Sequence, residues 1–408
     1  MTPAPSENRR RPSLAILGSR GIPARYGGFE TFAEQLSTRL VRAGFPVTVF
    51  GERHAGEPAR GEHQGVRLER VAVPRLGAVS ALVYDVLCLW RARREHDVVF
   101  MLGYGAGPFC ALPRLSQREV WISMDGLEWQ RGKWGWLART WLRRMERAAL
   151  RAGQRIVFDS EAVRRAVLGE RADARVSVIA YGAELDLEHD PLVLESLALR
   201  PKSYYLVVCR IEPENHVLEV VRAVSRGPTT RALLVVGDLE RAGAYGEACR
   251  RAAGPQVRFL GPVFDRPTLH ALRVESWAVI HGHSVGGTNP SLLEALAAGA
   301  PVLAHDNPYN REVVGEDALY FRDEETLVGA LAECERRTSE ERVGLGERGR
   351  RTIQERFTWE RVTEAYARLL DPSFTGLRVE PAPSPGPGEP PGPLPARREG
   401  ARAGERAG

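Results

Sequence analysis

The richest cluster of residues able to do chemistry is His281-Gly282-His283-Ser284-Val285-Gly286-Gly287-Thr288-Asn289-Pro290-Ser291-Leu292-Leu293-Glu294-Ala295. An apolar run ends at His281, small polar residues and glycines make a turn, and a helix is expected to begin at Pro290 or Ser291. Amides exposed at such a turn bind anions, so Gly286, Gly287, Thr288 and Asn289 are candidates to cradle a pyrophosphate. Glu294 falls one helical turn later, where its carboxylate would accept from a ribose diol. His283 is a further candidate contact, although loop hydrogen bonding is the plainer reading of both histidines. Metal ligation by His281 and His283 lacks an acidic or cysteine partner nearby in sequence, so no metal is expected.

A second glycine-rich turn, Gly18 to Glu30, follows the apolar run SLAILG. Its glycines let backbone approach a ligand, and the helix after it favours anions. Gly27, Gly28 and Glu30 are the candidate contacts. The spacing is not G-x-G-x-x-G, and a long connecting loop reads equally well. Two carboxylates sit where strands should end. Asp125 follows Trp121-Ile122-Ser123 with Glu128 close behind, and Asp159 follows Arg155 to Phe158. A carboxylate there would face a cleft and bond a sugar or acceptor hydroxyl; a helix cap or turn aspartate is the ordinary alternative. Tyr181 lies at a junction, where its hydroxyl faces the cleft or its ring packs the hinge.

The elements that must position these groups alternate. Strand-like runs at Ser13–Gly18 and Pro46–Phe50 flank a helical pattern at Glu30–Ala43, a β-α-β unit. Further strands are predicted at Val98–Met101, Val120–Ser123 and Arg155–Phe158. The pattern restarts with Tyr204–Cys209, a helix over Val217–Val224, then strands at Ala232–Val236, Val257–Leu260, Trp277–His281 and Pro301–Ala304. Ser291–Ala298 and Phe357–Leu370 read as helices. The predicted architecture is α/β, with two Rossmann-like doubly wound domains facing across a cleft. The expected division is a flexible 1–12, a first domain 13–182, a second 183–355, a helix 356–371, and a disordered Pro/Gly-rich tail 372–408.

At 408 residues the chain is long enough for two cores, and a net charge of +5 gives little support for nucleic acid. Five scattered cysteines suggest neither a disulfide framework nor a zinc site, and a reducing cytoplasm is expected. No apolar signal segment follows the Arg-rich start, and no run approaches the roughly 20 residues of a membrane span.

The motifs GSRGIPARYGGFETF, MDGLEWQRGKW, RIEPEN and HGHSVGGTNPSLLEA, with NPYNREV behind them, resemble a family 4 glycosyltransferase of GT-B fold. The similarity is to its rhamnosyltransferase-like subgroup, of the domain-of-unknown-function 1972 type. That resemblance implies a first domain for acceptor, a second for a nucleotide-sugar donor, retaining chemistry and no cofactor. Arg210 matches the donor-phosphate arginine, with Glu212 beside it as a substrate contact, and Glu294 matches the second of a paired-glutamate motif. The first of that pair would fall at Gly286, and the usual lysine is Asn215. The departures leave less positive charge at the phosphate and agree with a rhamnosyl-like donor, dTDP-rhamnose. The acceptor implied is a lipid-linked saccharide of a cell-surface polysaccharide pathway. Asp125 and Glu128 would then position the acceptor, with the donor phosphate taking its proton; a covalent carboxylate nucleophile stays open.

Residues 129–147 hold four tryptophans and six basic residues. As a helix, Trp134, Leu137, Trp141 and Met145 share a face, which suits an anionic membrane surface or a buried core face. The expected location is cytoplasmic, peripheral on the inner membrane. Alternatives are a transferase using a UDP- or GDP-linked sugar, a GT-B-fold sugar-nucleotide epimerase, or a nucleic-acid-binding protein. A metal-dependent GT-A transferase is disfavoured because Asp186-Leu187-Glu188 only imitates D-x-D.

Overall fold

The computed structural model describes residues 10–24, 27–73, 76–124, 126–132, 134–185, 189, 192–227 and 229–377. The predicted start 1–12 and the tail beyond 377 fall largely outside these residues.

The first half builds one sheet from β1 (Leu14–Leu17), β2 (Val47–Glu52), β3 (Arg60–His63), β4 (Val66–Val71), β5 (Val98–Leu102), β6 (Glu119–Met124), β7 (Arg155–Phe158) and β8 (Val176–Val178). Their order is β3-β4-β2-β1-β5-β6-β7-β8, parallel except for the antiparallel β3–β4 hairpin. The second half builds a parallel sheet from β9 (Tyr204–Val208), β10 (Ala232–Val236), β11 (Val257–Gly261), β12 (Ala278–His281), β13 (Val302–His305) and β14 (Leu319–Phe321). Its order is β11-β10-β9-β12-β13-β14, with the reversal of strand order beside β9 and β12. In such sheets ligands bind at the carboxyl ends beside the switch point.

The central strands are continuous apolar runs because helices cover both faces of each sheet. LAIL of β1 is wholly buried, as is VVFML of β5. Helix Gly28–Arg42 packs Phe32, Leu36 and Leu40 inward. The chain then returns: Ala183 donates its amide to the Phe357 carbonyl at 2.8 Å, and helix Trp359–Leu370 lies against helix Gly28–Arg42. Phe32 meets Tyr366 edge-on at 5.8 Å and Trp359 at 6.2 Å. Phe374, inside the expected tail, packs on Phe45 at 5.7 Å.

Several elements lie outside the predicted set. The hairpin β3–β4 and helix Ser80–Ala92 are examples, as is the 3₁₀ stretch Gly107–Ser116. The Trp-rich helix runs Trp136–Ala152, not from Trp129, because Gly132 and Gly135 interrupt the preceding segment.

Candidate active site between the two sheets

Arg210 follows β9 and is exposed, 3.6 Å from Glu212 in ion-pair range. The turn that carries it is clipped by Asn215, whose amide donates to the Arg210 carbonyl at 2.6 Å. The Asn215 oxygen faces His283 Nδ1 at 2.7 Å. With that oxygen as acceptor, the proton sits on Nδ1 and Nε2 is left facing Gly286. Burial first, then His281, Arg131, Arg210 and His305, hold His283 well below the usual imidazole range, so the ring is neutral. Burial and His305 push His281 down to about 3. Among the described residues no group of three His, Cys, Asp or Glu could hold a metal ion.

Beyond β12, Gly286 takes φ 141°, and helix Pro290–Ala297 starts with proline at its first position. Asn289 caps it: the Ser291 amide donates to Asn289 Oδ1 at 2.9 Å. Its Oδ1 is thereby engaged, which leaves the side-chain NH2 and the backbone amide to offer a ligand. Thr288 is buried and donates its hydroxyl to the Asp159 carbonyl at 2.6 Å, so it bridges the halves. Glu294 is paired with the buried Arg273, which holds its carboxylate beside the helix.

The two halves meet through glycines. A β-carbon on Gly287 would overlap both carboxylate oxygens of Asp159, and one on Gly126 would lie 2.9 Å from the Gly286 Cα. Asp159 is buried at the end of β7, directly against the turn Gly286–Asn289. Next to it, Glu312 reaches from helix Pro308–Val314 to the start of helix Glu161–Leu168. It accepts from Ser160 Oγ at 2.7 Å and from the Glu161 and Ala162 amides at 2.8 Å each. Sequence reading missed Glu312; only its place in NPYNREV hinted at it.

On the first half, Gly27 precedes helix Gly28–Arg42, and no side chain caps its first turn. Glu30 is buried and accepts the Arg20 amide at 2.8 Å, bracing the loop from inside. Beside it, at the carboxyl ends of β1, β2 and β4, a cavity of about 270 Å³ is lined by Arg20, Glu52, His54 and Arg70 among others.

Glu128 is fixed on both oxygens: Trp134 Nε1 donates at 3.1 Å, and Arg131 sits at 2.6 Å. Its amide donates to the Tyr104 hydroxyl at 2.8 Å. The carboxylate expected to hold acceptor thus holds Arg131. Tyr181 is buried, with its ring edge-on to Phe32 at 5.2 Å, the hinge-packing arrangement. Asp125 lies outside the described residues. Trp136, Leu137 and Trp141 stand 75%, 66% and 52% exposed on a helix carrying Arg139, Arg143, Arg144 and Arg147. Met145 is buried on the inner face, and Trp134 is half-buried ahead of the helix, so neither shares that surface. No helix among the described residues is long and apolar enough to cross a membrane.

Residues 12–184 match the family described as Domain of unknown function (DUF1972), and residues 202–336 match Glycosyl transferases group 1. No curated protein matches the chain. The fold is that of sucrose-phosphate synthase from Thermosynechococcus elongatus, at TM-score 0.74 and 19% identity over 88% of this chain and 98% of that one. It is also that of Anabaena HepE solved with UDP and glucose, at TM-score 0.71 and 18% identity over 88% and 99%. A UDP-forming trehalose-phosphate synthase from Burkholderia xenovorans, in complex with glucose-6-phosphate, aligns at TM-score 0.69 and 15% identity over 88% and 99%.

Proposed function

We propose that this chain, a hexosyltransferase of GT-B fold, transfers L-rhamnose from dTDP-rhamnose to a lipid-linked saccharide in cell-surface polysaccharide synthesis. The observation that carries the donor reading is that Asn215 ties the Arg210 carbonyl to His283, and Ser291 Oγ bonds the Val208 carbonyl, which joins the Arg210 segment to the turn ahead of helix Pro290–Ala297. Amides, a helix N-terminus and a guanidinium converge where a leaving diphosphate would gain charge. Glu294, steadied by Arg273, would accept from the ribose hydroxyls. His283, neutral, with its one N–H given to Asn215, would accept at the sugar through Nε2 without adding charge.

The acceptor would enter from the cavity lined by Arg20, Glu52, His54 and Arg70, past Gly27, Gly28 and the Glu30-braced loop. In front-face transfer the acceptor oxygen bonds the anomeric carbon as its bond to phosphate breaks, and the acceptor proton passes to the departing phosphate. Asp159, packed against Gly287, would orient that hydroxyl, and Asp125 is the second carboxylate proposed for the acceptor. Glu128 supports this arrangement through Arg131, and Tyr181 through the hinge.

The exposed Trp136, Leu137 and Trp141 with flanking arginines support docking of helix Trp136–Ala152 on an anionic cytoplasmic leaflet, where a lipid-linked acceptor resides. The test is transfer from a panel of dTDP-, UDP- and GDP-sugars to a polyprenyl-diphosphate-linked sugar, with EDTA present. Transfer from dTDP-rhamnose alone supports the proposal. Transfer from a UDP- or GDP-sugar overturns the donor, and epimerisation of free nucleotide sugar overturns the reaction.

A further inference from the structure

Arg131 belongs to the first half yet points at the second. Its Nη1 lies 3.7 Å from Glu212 Oε2 and 3.7 Å from Glu214 Oε1. Arg210 Nη2 approaches the same Glu212 Oε2 from the other side, at 3.6 Å. Two guanidiniums from opposite halves therefore converge on one carboxylate oxygen. None of these contacts is a hydrogen bond, and that oxygen and both oxygens of Glu214 lack a hydrogen-bond partner among the described residues. The Glu214 side chain is only 3% exposed, so its carboxylate is held in the interior by charge at a distance.

Arg131 is also held in place. Glu128 grips it at 2.6 Å while Trp134 and Tyr104 fix Glu128, so the guanidinium is presented on a rigid support. Five residues earlier, Gly126 packs on Gly286, which brings the Arg131 segment against the anion-binding turn.

We propose that Arg131 is a second cation for the donor's diphosphate, delivered from the first half and sharing the anion with Arg210. The inference rests on the donor reading above. Glu212 holds the shared position only loosely, and a diphosphate, with two negative charges spread over several acceptor oxygens, displaces it and bonds both guanidiniums. Arg131 has N–H groups on two terminal nitrogens, so it keeps Glu214 while it binds the anion. The diphosphate site is then complete only when the halves are together.

The test is calorimetric titration of the full chain with dTDP, UDP and GDP, then with the nucleoside of whichever binds best. Arg131→Ala is expected to weaken the nucleoside diphosphate by about tenfold or more, with nucleoside affinity unchanged. Arg131→Lys should recover part of the loss. Where Arg131→Ala fails to fold, Arg131→Gln keeps most of the packing without the charge. Equal loss for nucleoside and nucleoside diphosphate would mean a merely structural arginine, and unchanged diphosphate affinity would refute the assignment outright while leaving the donor reading intact. Wild-type protein that binds none of the three overturns both.

Discussion

Removal of the Glu312 carboxylate should loosen one half from the other without touching either core. In Glu312→Ala, Ser160 Oγ and the Glu161 and Ala162 amides lose an acceptor that lies 2.7 to 2.8 Å away. Hydrogen bonds to a charged group are each worth about 1.5–3 kcal/mol. Ala162 retains Ser160 Oγ at 3.1 Å, and water can enter around the half-buried carboxylate. We therefore take roughly one such bond as the net effect, about 2–3 kcal/mol including the helix-terminus attraction. That shifts the local opening equilibrium by about 30- to 150-fold. Amide hydrogen exchange reads it directly: Glu161 should exchange faster by that factor, while amides inside β5 and β6 keep their protection. Transfer should slow because Asp159 and Gly287 no longer meet. Unaltered exchange at Glu161, together with full transfer activity, would refute the idea that this carboxylate ties the halves.

Arg210→Ala should reduce kcat/KM for transfer by about 100-fold or more while the melting temperature stays within a degree or two, because Arg210 is exposed. A variant that melts early but retains activity when folded would refute its role. Glu294→Ala should weaken nucleotide binding and lower stability through the stranded Arg273; unchanged affinity in the folded variant would refute the ribose contact. Acid should destabilise the fold. His270 and His305 are pushed down to about 4 and His281 to about 3, so the unfolded chain binds more protons as pH falls below about 6.5. Each then removes about 1.4 kcal/mol per pH unit until its folded value is reached. Asp85, raised by burial to about 7, offsets one of them. Urea midpoints should therefore drop between pH 7 and 5, and a rise would contradict the assignment. Serine at Trp136, Leu137 and Trp141 together should abolish pelleting with anionic vesicles without changing the melting temperature, because all three are exposed. Pelleting equal to wild type would exclude this helix as the membrane contact.

The central parallel strands were legible because a strand buried on both faces must be continuously apolar, as in Tyr204–Val208 and Val98–Leu102, whereas the parallel strands Val66–Val71, Val176–Val178 and Leu319–Phe321 were not. The hairpin strand Arg60–His63 was not, because an exposed edge lets RGEH replace any apolar signal. The turn from His281 to Asn289 was legible as a turn, since glycines and small polar residues between an apolar strand and a proline-started helix leave little else to form. What its side chains do was not readable. Thr288 bonds Asp159 across 129 residues and Glu312 bonds Glu161 across 151, and no local pattern encodes such pairs. Glu128 and Asn215 illustrate the same point: each looked like a ligand group or a gap, and each proves to steady a neighbour.

The return of the chain at Phe357 has a consequence for anyone recombining these enzymes. Helix Trp359–Leu370 packs on Gly28–Arg42, so the last segment in sequence is furniture of the first sheet. A chimera joined once, near residue 184, would inherit a foreign helix against Phe32 and Phe100. Exchanging the second sheet thus calls for two junctions, one either side of it, so that Trp359 and Tyr366 travel with the first sheet.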